Sequence, residues 1–261
     1  MKKCKLCNIQ SDLQISHAVG DSVFKKIFRT NSGKAIAITS GNAPIGYSSD
    51  SWAENQLCAD CEKLLNHNYE RYSLGVLRGS GCTFEKKTDG LHFSNLDQHK
   101  LIMYFLSIYW RAANSSHASY RNVVILDKDN EYLRNAILND LSIPSNKFSI
   151  KLSRVLDLSK SKGFTDQAIK QFIVSPFCRI YENEKVENIS VCFMFEGFFI
   201  EVYLKGLDEE EQTLCGLLSE TKSDLVIPYL NLFDIDEIVD LMVDGYRKHL
   251  EGNSRVKANK K

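Results

Sequence analysis

The chain contains two Cys-x-x-Cys pairs, Cys4 with Cys7 and Cys58 with Cys61, and they restrict its fold more strongly than any other feature. The spacing in each pair lets two thiolates bind one ion from a tight turn, and four thiolates complete a closed tetrahedral zinc site. Redox-active or simply buried pairs are the alternative, but a redox pair usually lies in a thioredoxin-like βαβ segment, which this sequence lacks. We therefore expect one structural zinc ion that holds about the first seventy residues together.

Composition places the chain among globular proteins. It has 261 residues, of which 43% are hydrophobic and 25% are charged, so it is long enough to bury a sizeable core. Its longest apolar stretches, such as 101–110 and 191–200, are shorter than the roughly 18 residues that a membrane-spanning helix needs. The N-terminus lacks the apolar segment of a secretory signal. These features predict a cytoplasmic location and no membrane partner.

Charge is balanced overall but not locally. The net charge is zero, whereas residues 1–34 contain seven lysines or arginines and two aspartates. A local excess of this kind is typical both of a solvated face and of a phosphate-binding surface, so the two interpretations stay open.

Hydrophobic periodicity predicts the elements around the cysteine pairs. Apolar residues at helical spacing predict a helix over 22–30, and a second helix is expected to begin at the second cysteine pair. Residues 34–39 suggest a strand, and 40–51 a loop rich in glycine, proline and serine. Four glycines between 75 and 90 suggest a linker. The predicted α+β chain thus divides into a zinc-binding module over 1–75, a linker over 76–93 and an α+β domain over 94–261.

The remainder of the chain alternates between helical and strand patterns. A long apolar helix is expected over 96–113, capped by Ser94 or Asp97, and is followed by a short strand over 123–126 and a helix over 131–141.

Two further elements are expected towards the C-terminus. Alternating residues on both sides of 196–197 predict a β-hairpin. A last helix is expected over 235–250, capped by Asp234 and ended by Gly252.

Two segments beside the cysteine pairs carry residues of a known nuclease motif. They are Ser16-His17-Ala18-Val19 and the run Leu57 to Cys61 followed by Glu62. In these features the chain resembles the zinc-containing HNH endonucleases, also called His-Me-finger or treble-clef nucleases. In that family a strand after the first cysteine pair ends in a histidine, and an Asn-x-x-x-Leu-Cys-x-x-Cys-His segment opens a helix. This chain lacks the family's proline after the histidine, has Glu62 in place of the second histidine, and has Asn55 closer to the cysteines.

The resemblance implies a treble-clef or ββα-metal module, followed by the larger α+β domain, in an endonuclease that hydrolyses DNA. A histidine with a pKa near neutrality suits the general base, and this role falls to His17. Glu62 offers an oxygen ligand to a catalytic Mg²⁺ or Mn²⁺ ion, and Asn55 would orient His17. Three basic residues would contact the nucleic acid: Lys25, Lys26 and Arg29.

Further runs, such as 106–112, look like a group of uncharacterised bacterial proteins that join an HNH-like zinc module to an α+β remainder. By analogy with such nucleases, the chain would serve in phage defence or a mobile element, and its C-terminal domain would be free to bind a protein partner. His67 and Glu70 are candidates for additional metal ligands. Arg111, which ends the long apolar helix, can contact a phosphate or pair with a buried acid.

Each assigned residue also has a structural alternative. His17 can complete or hydrogen-bond the zinc ligands, Glu62 can complement a helix dipole, and Asn55 can cap the helix of the second cysteine pair. Under this alternative the chain is a catalytically inactive zinc-binding module that binds nucleic acid or a protein partner.

Overall fold

The computed structural model describes residues 2–30, 32–39, 41–161, 163–182, 187–207 and 211–256. Helices and strands are mixed along them, which confirms the predicted α+β class. The strands, β1 to β13 in chain order, are Lys2–Lys3, Gln10–Ser11, Leu13–His17, Ala35–Ala37, Gly46–Ser48, Ala53–Cys58, Thr83–Lys86, Gly90–Ser94, Ser149–Leu156, Val174–Glu182, Glu187–Phe195, Phe198–Tyr203 and Leu225–Asn231. The α-helices, α1 to α7, are Asp21–Thr30, Ala59–Leu65, Arg71–Leu77, Gln98–Ala113, Asp127–Asn139, Asp166–Ile169 and Asp236–Leu250.

Seven of these strands form the central sheet, in the order β10-β11-β12-β9-β13-β8-β7. Neighbouring strands are antiparallel except β13 and β9, which run parallel. The predicted hairpin is confirmed as β11 and β12, which turn at Glu196 and Gly197, both with positive φ. Successive side chains of β11 belong to two different apolar clusters. Val191 and Phe193 belong to one, and Cys192 and Met194 to the other. Because successive side chains of a strand point to opposite faces, the sheet has an apolar core on each side.

Helix α4 is the centre of the larger core. Every residue from Leu101 to Ala112 is buried, and the Asp97 side chain accepts a hydrogen bond from Lys100 N at 3.2 Å, as expected of a cap. The core around α4 contains residues as distant in sequence as Leu57 of β6 and Ile227 of β13. The cysteine-containing segment and the central sheet therefore share one apolar cluster. Within the described residues, no helix combines the length and apolarity that crossing a bilayer requires.

Residues 76–93, for which a linker was predicted, contain β7 and most of β8, at one edge of the central sheet. Of the four glycines that suggested the linker, Gly79 and Gly81 lie in turns with positive φ, whereas Gly75 lies in α3 and Gly90 begins β8. The predicted domain boundaries stay a prediction.

Two local predictions are wrong. Residues 123–126 form no strand, because the carbonyl of Val124 accepts from the Tyr109 hydroxyl at 2.8 Å instead of from a neighbouring strand. Asp234 does not cap α7, which begins after Ile235. Its carboxylate accepts from Asn231 Nδ2 at 3.1 Å in the preceding turn. The end of α7 is as expected, with Gly252 at φ +73° just after it.

The long segment between β3 and β6 is anchored on the C-terminal helix. Its strands β4 and β5 pair, so part of the predicted loop is a hairpin. Ile45 N donates to Asn253 O at 3.1 Å, and Ile45 O accepts from Arg255 N at 2.8 Å. Lys248, buried on α7, donates to Thr39 O. The segment is thus held at its middle by residues some two hundred positions further along the chain.

Candidate metal centre and the adjoining site

The four cysteines, Cys4, Cys7, Cys58 and Cys61, come together as the sequence predicts. Their sulfur atoms all lie within 4.8 Å of one another, and Cys7 Sγ is 3.8 Å from Cys58 Sγ. An ion bonded at about 2.3 Å to four tetrahedral sulfurs would hold the sulfurs about 3.8 Å apart. The cluster therefore has the donor atoms and spacing of a metal site. Among the described residues it is the one group of three or more such ligands.

Backbone turns build this cysteine cluster. The turn from Cys4 is closed by Asn8 N donating to Cys4 O at 2.9 Å, with Asn8 in the left-handed region at φ +64°. Cys58 ends β6, and Cys61 lies in the first turn of α2. Burial raises the pKa of the Cys4 thiol, but backbone N–H groups, including that of Cys58 at 3.3 Å, outweigh burial and bring this pKa to about 7. Such N–H groups favour the thiolate, which is the form that binds metal.

A strand–strand–helix unit surrounds the cluster. Strands β3 and β6 are antiparallel, with Leu13 opposite Cys58 and His17 opposite Ala53, and α2 follows β6 directly. His17 is the last residue of β3, and Glu62 lies in the first turn of α2. His17 is not one of the ligands of the cysteine cluster.

The His17 imidazole is largely shielded from solvent, with 14% of its side chain exposed. Its Nε2 atom lies 3.0 Å from Ser51 Oγ and 3.7 Å from Asp21 Oδ1. Burial lowers the pKa of His17, and the Arg111 charge lowers it further, against opposing effects of the Asp21 and Glu62 carboxylates. The neutral imidazole is therefore favoured near pH 7, and its free electron pair is able to accept a proton.

Arg111 lies between the two carboxylates of the adjoining helix. It is 2% exposed, with Nη1 3.8 Å from Glu62 Oε2 and Nη2 3.8 Å from Glu70 Oε2. Nη2 also donates to the backbone oxygen of Ala18 at 3.1 Å. Glu62 Oε1 and Arg111 Nε are buried atoms without a hydrogen-bond partner in the described structure. Burial raises the pKa of Glu70, an effect that Arg111 opposes and Glu62 reinforces. Glu62 and Glu70 thus have carboxylate oxygens that are able to bind a cation.

Asn55 is exposed on β6, opposite Ile15. The hydrogen bond described for His17 is with Ser51, not with Asn55. The structure thus gives Ser51 the orienting contact that was expected of Asn55. His67 is exposed on the π-helical turn that follows α2.

The three basic residues expected to contact nucleic acid lie on α1 and differ in their environments. Lys25 forms an ion pair with Asp21, and Lys26 with the buried Glu196 of the β11–β12 turn. Arg29 is exposed at the end of the helix. Lys26 therefore connects α1 to the central sheet, whereas Lys25 and Arg29 face solvent.

Sequence reasoning missed Ser51 and left Arg111 undecided. Arg111 did carry a signal, since a charge that ends a nearly continuous apolar helix needs an acidic partner once it is buried. Asp21 stands four residues after His17, but nothing in the sequence marked it as a neighbour of the imidazole. Ser51 gave no signal, because its approach to His17 depends on how β3 and β6 pair.

Comparisons of this chain with protein-family models, with curated proteins and with solved structures found no match.

Proposed function

We propose that this protein is a metal-dependent, HNH-like endonuclease that hydrolyses phosphodiester bonds in DNA, with a structural zinc ion on its four cysteines. One observation carries the proposal: α2 packs against β3, which ends at His17, and Glu62 in the first turn of α2 has a buried oxygen, Oε1, without a hydrogen-bond partner among the described residues. An unsatisfied buried carboxylate oxygen is costly unless a ligand binds it. The order strand, strand and helix around a cysteine cluster supports a treble-clef or ββα-metal module.

Each residue of the site has a defined task in this proposal. His17, neutral near pH 7, accepts the proton of the attacking water. Glu62 would hold Mg²⁺ or Mn²⁺, which stabilises negative charge on the reacting phosphate. Mg²⁺ usually binds one or two protein carboxylates and keeps several waters, so a site with few protein ligands suits it. The four cysteines would hold the zinc ion, which would stabilise the module and take no part in the reaction.

The substrate surface would extend from the site along α1. Lys25 and Arg29 are four residues apart on this helix, so they lie on one face, and both are exposed. Exposed cations at this spacing suit contacts with successive backbone phosphates. Lys26, paired with Glu196, has a structural task instead.

Cleavage of plasmid DNA tests the proposal. The zinc-loaded protein is incubated with supercoiled plasmid and Mg²⁺ or Mn²⁺, alongside His17→Ala and, as a matched control, His249→Ala, which removes an exposed histidine in the last turn of α7. Loss of a general base should slow cleavage by about 10²- to 10⁴-fold in His17→Ala, whereas His249→Ala should cleave like the wild type. Absence of cleavage of every DNA and RNA tried, with both metals, would contradict the proposal.

One observation favours a second candidate, a catalytically inactive zinc module that binds nucleic acid or a protein partner. The Arg111 guanidinium lies 3.8 Å from both Glu62 and Glu70, so a cation already faces the carboxylates that a divalent ion would need. In that case the protein should bind DNA or a protein with the zinc in place, and should show neither cleavage nor Mn²⁺ binding at Glu62.

A further inference from the structure

Arg111 contacts every element of the strand–strand–helix unit. Its side chain donates to Ala18 O, directly after β3, and its backbone oxygen accepts from the buried Gln56 side chain of β6 at 3.0 Å. Its two terminal nitrogens face Glu62 on α2 and Glu70, which directly precedes α3.

The helix that carries the two carboxylates has an unusual register. Eight residues of an α-helix turn through about 800°, which would rotate Glu70 about 80° away from Glu62. Between α2 and α3, however, Asn66–Glu70 form a π-helical turn, which takes up one additional residue. Glu70 is therefore returned to the face of Glu62, two turns further along, and both carboxylates reach Arg111. π-helical turns of this kind are frequent at functional sites.

The contacts around Arg111 are incomplete. At 3.8 Å both ion pairs are too long for hydrogen bonds, and Arg111 Nε has no hydrogen-bond partner in the part of the chain that the structure describes. A guanidinium that served only to stabilise the core would be expected to make short, two-pronged hydrogen bonds with one carboxylate. The spacing here instead keeps two carboxylates close to one buried positive charge without engaging them fully.

We propose that Arg111 is a positioning residue of this site, which balances the charge of Glu62 and Glu70 and fixes both relative to the strand end that carries His17. This inference rests on the proposed nuclease function, but only in its effect on the reaction rate. With 2% of its surface exposed, Arg111 cannot contact DNA. Its removal should therefore change kcat and leave the KM for DNA nearly unchanged.

Two measurements on Arg111→Met separate positioning from general stabilisation. Loss of the positive charge should tighten Mn²⁺ binding at least about fivefold, because two carboxylates lose their counter-charge. Loss of the contact with Ala18 should lower kcat about 100-fold, because a displacement of about 1 Å has an effect of that size. A variant that was merely damaged would bind Mn²⁺ more weakly and lose activity together. Arg111→Lys keeps the charge, so it should bind Mn²⁺ like the wild type and recover part of the lost kcat.

Arg134→Met is the matched control. Like Arg111, Arg134 donates to a backbone oxygen, that of Leu6 at 3.0 Å, but it lies on α5 and its carboxylate partner is Glu131. This variant should keep the wild-type kcat and Mn²⁺ affinity. Zinc content and melting temperature are measured for every variant.

The outcomes distinguish this inference from the nuclease proposal. If the wild type cleaves DNA, an Arg111→Met kcat within about threefold of wild type overturns the inference. If the wild type cleaves nothing, the nuclease proposal fails and Mn²⁺ binding decides alone: tighter binding in Arg111→Met supports the inference, and equal or weaker binding overturns it. If Arg111→Met does not retain zinc, Glu70→Gln decides, with weaker Mn²⁺ binding in support and unchanged binding against.

Discussion

Gly20 lies directly against the carboxylate of Glu70, so that a Cβ atom at residue 20 would come 2.3 Å from Glu70 Oε1. Gly20→Ala should therefore displace this carboxylate from Arg111. The obstructing atom ends a flexible side chain, so the free energy of unfolding should change by less than about 1 kcal/mol. Mn²⁺ affinity, measured by EPR titration, should fall. Gly46→Ala is the control, since the nearest atom to its Cβ would be 4.0 Å away, and equal affinities in the two variants would exclude Glu70 from the site.

Removal of one cysteine ligand should release the zinc and unfold the surrounding module. Cys61→Ser should bind much less than one zinc per chain and melt at a lower temperature, because metal binding and folding are coupled in such sites. Cys82→Ser is the matched control, since Cys82 is partly buried and lies outside the cluster. Zinc content by elemental analysis and thermal unfolding by circular dichroism provide the measurements. Full zinc content in Cys61→Ser would contradict the assigned ligand set.

Glu196 joins the central sheet to the segment that carries the candidate site. It is buried and accepts from Arg78 Nε at 2.9 Å while pairing with Lys26. Glu196→Gln should lower the free energy of unfolding by about 2 kcal/mol, less than for a fully buried pair because the two cations are partly exposed. The exposed Glu85, which pairs with Lys87, serves as control.

Urea denaturation measures both effects. Glu85→Gln should change the unfolding free energy by less than about 0.5 kcal/mol. Equal losses in the two variants would show that burial of Glu196 adds nothing to its ion pairs.

His99 should make stability depend on pH. Its Nδ1 lies 2.8 Å from Glu220 Oε1 and its Nε2 2.8 Å from Asp140 Oδ1. Burial acts to lower the pKa of His99, but these hydrogen bonds outweigh it and raise the pKa above 6.5. Because the folded-state pKa is raised, the stabilisation is complete below the unfolded pKa and is lost as the pH rises through the folded one.

The comparison of wild type with His99→Gln isolates this effect. His17 acts with the opposite sign, since burial lowers its pKa, but it is present in both proteins. From about pH 6 to about pH 8, the wild type should lose more unfolding free energy than His99→Gln does. Parallel pH profiles of chemical denaturation would show that His99 contributes nothing.

Features fixed by neighbouring residues were predictable from the sequence. The cysteine spacing predicted that the four cysteines cluster, and the structure confirms it. Hydrophobic periodicity predicted α1, α4 and the β11–β12 hairpin. The strand β9 was missed because nearly all of its residues are buried, so it lacks the alternation that marks a half-exposed strand.

The candidate site was predictable only in part. His17 and Glu62 were marked by their positions beside the cysteines. Arg111, by contrast, is more than ninety residues from Ala18 in sequence and more than forty from Glu70. Its contacts with them depend on how α4 packs against the strand–strand–helix unit. The additional residue of the π turn, which aligns the two carboxylates, has no signal in the sequence pattern.

The contact between Ile45 and the backbone around Asn253 determines when, during synthesis of the chain, the segment between β3 and β6 can fold. A ribosome releases the cysteines first, and domains generally fold in the order in which they are made. The insertion between β3 and β6 nevertheless gains its anchor only after residue 255 has been synthesised, and Arg111 reaches the carboxylates only after α4 is complete. The site is therefore assembled late, although its marked residues are made early.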